Sequence, residues 1–141
     1  MQTVPPDVPI PILLVDDFAL WRQKLNSLLQ GQASLQIVGE AENGQEAIEK
    51  AQLLQPDLIL LDVGLPDMSG LRVAERIHQV SPNSKIIFVT LHDDAELADA
   101  VTVNGVHGYL LKQYIDRTEL LSAITAVLCG KRYLCKQLRR L

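Results

Sequence analysis

The chain has 141 residues and a net charge of −4, and 48% of its residues are hydrophobic while 21% are charged. These values predict one globular domain with a sizeable core, and they exclude an intrinsically disordered chain. The acidic balance argues against wholesale nucleic-acid binding. No apolar run approaches the roughly 18 residues that cross a bilayer, so we expect a cytoplasmic protein.

Apolar runs that predict strands alternate along the chain with amphipathic runs that predict helices. Residues 1–9 contain prolines without periodicity and are predicted to be a disordered leader. The predicted strands cover residues 10–15, 35–40, 58–61, 85–90 and 106–111. The predicted helices cover 19–30, a stretch opened by a capping box at Asn43, 69–80, a stretch from Asp93 to Gly105, and a stretch capped by Asp116. The apolar face of the first helix should consist of Leu20, Leu25, Leu28 and Leu29.

Five strands alternating with five helices predict a parallel sheet that is covered by helices on both faces. The first, third and fourth strands are apolar throughout and should be central, whereas the second and fifth are mixed and should be edges. This pattern matches a flavodoxin-like, doubly wound α/β fold with strand order 2-1-3-4-5. Its ligands collect at the carboxyl ends of the strands, near the switch point between strands one and three.

Polar side chains stand where four of the predicted strands end. They are Asp16 and Asp17 after the first strand, Asp62 after the third, Thr90 at the end of the fourth and Lys112 after the fifth. Because the carboxyl ends of parallel strands meet at one edge, these groups should converge on one pocket. Each residue alone has an ordinary explanation, such as a helix cap or a solvated strand end, but the conjunction favours a site.

The clustered carboxylates favour a bound divalent cation. Three such groups repel one another unless a cation lies among them, and hard oxygen ligands suit Mg²⁺. We expect Asp17 and Asp62 to bind the ion directly and Asp16 to act through a water molecule. The carbonyl oxygen of Gly64 would supply a further ligand.

Phosphoryl transfer is the chemistry that suits this arrangement. Asp62 could act as a nucleophile towards phosphorus, as carboxylates do when they form aspartyl phosphates. The metal and the Lys112 ammonium would offset charge on the transferring group, and the Thr90 hydroxyl could bond a phosphoryl oxygen.

Four motifs within residues 10–133 are together highly specific: Val15-Asp16-Asp17, Leu61-Asp62-Val63-Gly64-Leu65-Pro66, Val89-Thr90 and Gly108-Tyr109-Leu110-Leu111-Lys112. They resemble the receiver domain of bacterial two-component response regulators. The stretch 39–47 and the run that ends at Lys112 are similar to the NarL/LuxR subclass, whose members carry a helix-turn-helix output domain.

The resemblance implies a phosphorylation switch. Asp62 would accept phosphate from the phosphohistidine of a sensor histidine kinase, or from a small phosphodonor. Thr90 would then move towards the phosphate and Tyr109 would rotate inward, so that a local charge change alters a protein-interaction surface. For Tyr109, simple packing on an edge strand is the alternative explanation.

Three positions depart from the usual pattern or vary within the family. Leu91 follows the switch threonine where a small residue is common, and we expect it to crowd the pocket mouth and slow turnover. Gly64 and His92 occupy variable positions that are expected to tune hydrolysis.

The resemblance also sets expectations for the rest of the chain. We predict a receiver domain over residues 10–130 and the start of a linker or C-terminal extension over 131–141. This chain alone should not bind a specific DNA site, and we expect a truncated regulator that controls transcription through a helix-turn-helix domain outside it. A stand-alone receiver that signals by protein contact is the alternative. A homodimer formed through a helical face is plausible.

Two rival functions fit the sequence less well. A haloacid-dehalogenase-type phosphohydrolase also forms an aspartyl phosphate, but its nucleophile follows the first strand in an Asp-x-Asp pattern, whereas Asp16 and Asp17 are adjacent. A receiver-like module that is never phosphorylated would not need the complete set of acidic pair, acceptor, threonine and lysine. We therefore predict a signalling domain and not an enzyme.

Overall fold

The computed structural model describes residues 8–91 and 105–140. Within these ranges, parallel strands form one sheet in the order β2-β1-β3-β4-β5-β6. The strands are β1 (Ile10–Val15), β2 (Leu35–Ala41), β3 (Leu58–Leu61), β4 (Lys85–Thr90), β5 (Val106–Leu111) and β6 (Tyr133–Leu134). The helices are α1 (Ala19–Leu29), α2 (Gly44–Leu54), α3 (Gly70–Val80), α4 (Arg117–Leu128) and a 3₁₀ turn at Leu138–Arg140.

The predicted doubly wound sheet with strand order 2-1-3-4-5 is confirmed, and β6 is an addition that the sequence analysis did not predict. Every residue of β3 is buried, as expected for a central strand, and β2 is a half-buried edge. β5 is almost fully buried because β6 lies beyond it, so β5 is not the edge strand that was expected. The helix predicted from Asp93 to Gly105 falls almost wholly outside the described residues.

Two helices begin at the predicted capping residues Asn43 and Asp116, and Ser69 caps a third. The side chains of Asn43, Ser69 and Asp116 each accept a hydrogen bond from the backbone N–H three residues later, at 2.8, 3.3 and 2.8 Å. The predicted apolar face of α1 was partly wrong: Leu25 and Leu29 are buried, but the side chain of Leu20 is 64% exposed. Leu20 lies in the first turn of α1, beside the carboxyl edge of the sheet, where no layer of the core covers it.

The C-terminal segment returns to the sheet after α4. β6 pairs with Gly108 and Tyr109 of β5, and the backbone N–H of Cys135 donates to the Tyr109 carbonyl at 3.1 Å. Cys135 and Leu138 are both buried in the core. Residues 133–138, which lie in the segment assigned to a linker or extension, are therefore packed against the domain in this structure.

α4 and α1 pack against each other, and so they cover the same face of the sheet. The step from β1 to β2 runs towards one edge, whereas the step from β5 to β6 runs towards the other. Two parallel crossovers that share a face but run in opposite directions have opposite hands. Right-handed crossovers predominate strongly in proteins, and β5-α4-β6 is the unusual connection here.

A neutral polar cluster lies at the amino ends of β3 and β4. The hydroxyls of Ser81 and Ser84 are hydrogen-bonded at 2.6 Å, and the Ser84 hydroxyl also donates to the Pro56 carbonyl. Gln55 ends α2 in the left-handed region, at φ 46° and ψ 56°, and not in the extended geometry expected before a proline. Its side-chain amide donates to the carbonyls of Gln52 and Val80, each at 2.9 Å, which ties the ends of α2 and α3 together.

Candidate functional site

Backbone hydrogen bonds extend the sheet by one residue at its carboxyl edge. The N–H of Asp16 donates to the Ala41 carbonyl at 3.0 Å, and that of Asp62 donates to the Val15 carbonyl at 2.9 Å. The N–H of Lys112 donates to the Thr90 carbonyl at 2.8 Å. The predicted site residues therefore sit on rigid backbone, which fixes the origin of each side chain.

The three predicted acidic residues come together. One carboxylate oxygen from each of Asp16, Asp17 and Asp62 lies within 4.8 Å of the other two. Asp16 and Asp62 are 1% and 7% exposed, whereas Asp17 faces solvent. The donor set is made of hard oxygens with an open side, which fits Mg²⁺. Gly64 lines the same cavity, and its N–H donates to Asp62 Oδ1 at 3.4 Å.

Lys112 is the buried cation of this cluster. Its Nζ lies 2.5 Å from Asp16 Oδ2 and 3.7 Å from Asp62 Oδ1, so its stronger ion pair is with Asp16. Asp16 Oδ2 accepts no hydrogen bond from the described residues. Its contact with Lys112 Nζ is therefore an ion pair without hydrogen-bond geometry. Three carboxylates face this one ammonium, and the site keeps an excess of negative charge.

The pKa of the Asp62 carboxyl is raised above its ordinary value of 3.8, chiefly because burial disfavours the charged form. The nearby Asp16 and Asp17 carboxylates raise this pKa further. The Lys112 ammonium and the Gly64 N–H lower it, but they do not offset the effect of burial. A divalent cation among the carboxylates would favour ionised Asp62, which is the form able to act as a nucleophile.

Thr90 and Tyr109 are both fully buried on neighbouring strands. Thr90 ends β4 and lines the cavity beside Asp62. The Tyr109 ring stands edge-on to Phe88, with ring centroids 6.0 Å apart and an interplanar angle of 86°. Tyr109 is thus packed inside the domain in this structure, which is the position that the sequence analysis expected it to adopt on activation.

The loop that follows Asp62 is fastened at two points. The carboxylate of Asp67 accepts the N–H groups of Gly44 and Gln45 at 2.7 and 2.9 Å, and these bonds lower the pKa of Asp67. Gly70 passes so close to Val63 that an added Cβ would lie 2.7 Å from the Val63 Cα. The loop is therefore anchored to α2 and α3, which limits movement around the acidic cluster.

One cavity of about 300 Å³ collects the site residues. Its lining consists of Asp16, Asp17, Phe18, Trp21, Asp62, Gly64, Thr90, Leu91 and Lys112. Phe18 and Trp21 were not among the residues predicted from the sequence. The signal available for Trp21 was its place in the first turn of α1, four residues after Asp17. Leu91 is 56% exposed at the cavity wall, and His92 lies outside the described residues.

The family model of the response regulator receiver domain matches residues 12–125, and the chain belongs to this family. Among its relatives, the nitrate/nitrite response regulator protein NarL of Escherichia coli (strain K12) is 34% identical over 130 residues, which are 92% of this chain and 60% of that protein. The transcriptional regulatory protein DegU of Brevibacillus brevis is 31% identical over 125 residues, 89% of this chain and 52% of that protein.

The fold comparison agrees with the sequence comparison. The crystal structure of a LuxR-family two-component response regulator from Aurantimonas sp. SI85-9A1 is similar with a TM-score of 0.86 and 28% identity, over 94% of both chains. The predicted likeness to the NarL/LuxR subclass is therefore confirmed. The chain spans a little over half the length of the curated relatives named above. Among the described residues, no helix is both long enough and apolar enough to cross a membrane.

Proposed function

We propose that Asp62 of this receiver domain is phosphorylated in a Mg²⁺-dependent reaction and that the phosphate switches a protein-interaction surface. The observation that carries the proposal is the meeting of three carboxylates within 4.8 Å of one another, beside a buried ammonium and inside one cavity. Asp62 is the candidate acceptor among the three carboxylates because Asp17 is exposed, and the other buried carboxylate, that of Asp16, is already paired with the Lys112 ammonium at 2.5 Å.

In the proposed reaction, a sensor histidine kinase supplies phosphohistidine. A carboxylate oxygen of Asp62 forms a bond to phosphorus, the phosphorus–nitrogen bond breaks, and the released imidazole takes up a proton. The Lys112 ammonium, 3.7 Å from Asp62 Oδ1, is placed to offset charge on the incoming phosphoryl oxygens.

The residues that would hold the metal are those expected from the sequence. Asp17 and Asp62 would bind Mg²⁺ directly, Asp16 would act through water, and the Gly64 carbonyl would complete the protein ligands. When bound, the ion supplies positive charge that stabilises the transferring phosphoryl group.

The proposed switch uses Thr90 and Tyr109. The Thr90 hydroxyl would move to bond a phosphoryl oxygen, and Tyr109 would respond to that movement from its buried position on β5.

NarL and DegU are named as regulators. We propose by analogy that a DNA-binding helix-turn-helix domain, joined after a receiver unit at 10–130, delivers the output. The segment 131–141 would begin the connection, residues 1–9 would form a leader, and a homodimer is a further proposal.

Incubation with acetyl phosphate tests the proposal directly. The wild-type protein should gain the mass of one phosphoryl group when Mg²⁺ is present and should gain none when the ion is chelated. The Asp62→Asn variant is the matched control because it keeps the size of the side chain without the nucleophilic oxygen. An unchanged mass of the wild type with Mg²⁺, or equal labelling of the variant, would contradict the proposal.

Leu91 should limit access to the same cavity. Replacing Leu91 with Ala should speed both phosphorylation by acetyl phosphate and loss of the phosphoryl group, because the cavity wall opens to donor and water. Time courses of intact mass measure both rates, and Leu53→Ala is the control because Leu53 is exposed far from the cavity. Unchanged rates in Leu91→Ala would count against a crowding role.

A further inference from the structure

Trp21 is one of two aromatic residues, with Phe18, that line the acidic cavity. It belongs to α1, and the centroid of its ring lies 4.9 Å from the Nζ of Lys112. A second ammonium, that of Lys24, lies at the same 4.9 Å from the ring centroid, but Lys24 is exposed and does not line the cavity. One indole therefore contacts two lysines, of which only Lys112 belongs to the site.

The Lys112 ammonium is 4% exposed and has lost most of its water. A cation over an aromatic face is attracted most strongly when it is desolvated, so the contact with Trp21 matters more for Lys112 than for Lys24. The ammonium also forms ion pairs with the carboxylates of Asp16 and Asp62. Trp21 is an uncharged partner that adds attraction without adding a further negative charge.

The distances from Lys112 Nζ to the two carboxylates indicate what Trp21 contributes. Nζ lies 2.5 Å from Asp16 but 3.7 Å from Asp62, so charge attraction alone draws the ammonium towards Asp16. A phosphoryl group on Asp62 needs the ammonium on the Asp62 side. The face of an indole attracts a cation without fixing it along one direction, so Nζ can move towards a phosphoryl oxygen and keep this contact.

We propose that Trp21 is the positioning residue of Lys112, holding the ammonium in reach of Asp62 and closing that side of the cavity to water. The proposal rests on the proposed phosphorylation of Asp62. Trp21 touches neither the phosphorus nor the metal; it acts through Lys112. Its loss leaves the metal ligands intact but removes the uncharged partner that Nζ can keep while it moves towards a phosphoryl oxygen, and it lets water screen the charge of the ammonium.

The test compares a ringless variant with a ring-preserving one. At saturating acetyl phosphate and Mg²⁺, Trp21→Met should be phosphorylated about tenfold more slowly, the loss expected for a desolvated cation–π contact. Trp21→Phe should recover much of the rate because it keeps a π face. Lys24→Ala removes the other cation from the same ring and should stay at the wild-type rate.

The dependence of the rate on Mg²⁺ concentration separates positioning from a general structural defect. The midpoint of that dependence should be the same in Trp21→Met as in the wild type, while the maximal rate falls. If Trp21→Met does not fold by circular dichroism, Trp21→Leu takes its place in the comparison.

Two results would overturn the proposal. A folded ringless variant at the wild-type maximal rate would refute the positioning role while leaving phosphorylation of Asp62 in place. Equal slowing of Trp21→Phe and Trp21→Met would refute the role of the π face. A wild-type protein that gains no phosphoryl group would instead refute the proposed function, and the positioning role would fall with it.

Discussion

The two ends of the sheet bury polar groups in opposite ways. At the amino end, the buried hydroxyls of Ser81 and Ser84 are uncharged and are joined by hydrogen bonds to each other, to the Pro56 carbonyl and to the exposed side chain of Gln55. At the carboxyl end, Asp62 and Lys112 belong to a charged cluster in which the acid keeps a raised pKa and the negative charges outnumber the ammonium. The polar groups of the amino-end cluster are hydrogen-bonded to one another and to the backbone. The carboxyl-end cluster has a net negative charge that a bound cation would neutralise.

The difference separates a structural cluster from a reactive one. A buried network whose members are all hydrogen-bonded stabilises one conformation, whereas an unbalanced charged group is held in place by the rest of the fold. Groups with strongly shifted pKa values that line a cavity are candidates for function. The contrast predicts that substitutions at the two ends change stability and reactivity in different ways.

The largest effect should come from Lys112. In Lys112→Met, the buried Asp16 and Asp62 carboxylates lose their partner, and the free energy of unfolding should fall by about 3 kcal/mol at neutral pH. Urea unfolding without Mg²⁺ measures the change, and added Mg²⁺ should restore part of it. Lys24→Met is the exposed control and should change stability by less than about 0.5 kcal/mol. If Lys112→Met were as stable as this control, the Asp16 and Asp62 carboxylates would not depend on the Lys112 ammonium for charge compensation.

A smaller loss should follow from the neutral cluster. Ser84→Ala removes the donor to the buried Pro56 carbonyl and one of the two partners of the Ser81 hydroxyl, and it should lower the free energy of unfolding by about 2 kcal/mol. The rate of phosphorylation by acetyl phosphate should stay at the wild-type value, because Ser84 lies at the opposite end of the sheet. Urea unfolding and intact mass measure the two quantities. If a folded Ser84→Ala variant were phosphorylated more slowly than the wild type, the two ends of the sheet would not differ in function as described.

The smallest effect should be a gain. Asp62→Asn removes a charge that burial disfavours, and it should raise the free energy of unfolding near pH 7 by less than the losses expected above. Because the folded pKa of Asp62 lies above its ordinary 3.8, its favourable contribution is present at low pH and is lost as pH rises through the raised pKa. The advantage of the variant should therefore grow from pH 4 to pH 7.

Urea unfolding of both proteins at a series of pH values, without Mg²⁺, checks this trend. Saturating Mg²⁺ should reverse it, because the ion stabilises the wild-type carboxylate and has less to bind in the variant. A constant difference across the pH range would mean that Asp62 does not change its pKa on folding.

The sequence was sufficient for those features that depend on local pattern and on strand direction. The caps at Asn43 and Asp116 are short-range hydrogen bonds, and they lie where the sequence pattern predicts them. The acidic cluster followed from a rule of topology, since residues that end neighbouring parallel strands must share an edge. The strand order alone therefore predicts that Asp16 and Asp62 lie close together.

Other features depend on how elements pack, and the sequence could not supply that. Trp21 belongs to an amphipathic helix, and only the packing of distant parts of the chain brings its ring to Lys112. Leu20 fitted the helical pattern yet lies outside the core. β6 has two residues and an unusual crossover, so neither length nor topology rules could have indicated it.

The two-residue β6 also protects the sheet from other molecules. An uncovered β5 would offer a long, apolar row of free N–H and C=O groups, which is a template for strand addition and fibrous aggregation. β6 occupies this row opposite Gly108 and Tyr109, and it is itself too short to template further growth. A version of the domain shortened after Gly130 should therefore aggregate. Its light scattering should rise with protein concentration even if its acidic cavity is intact.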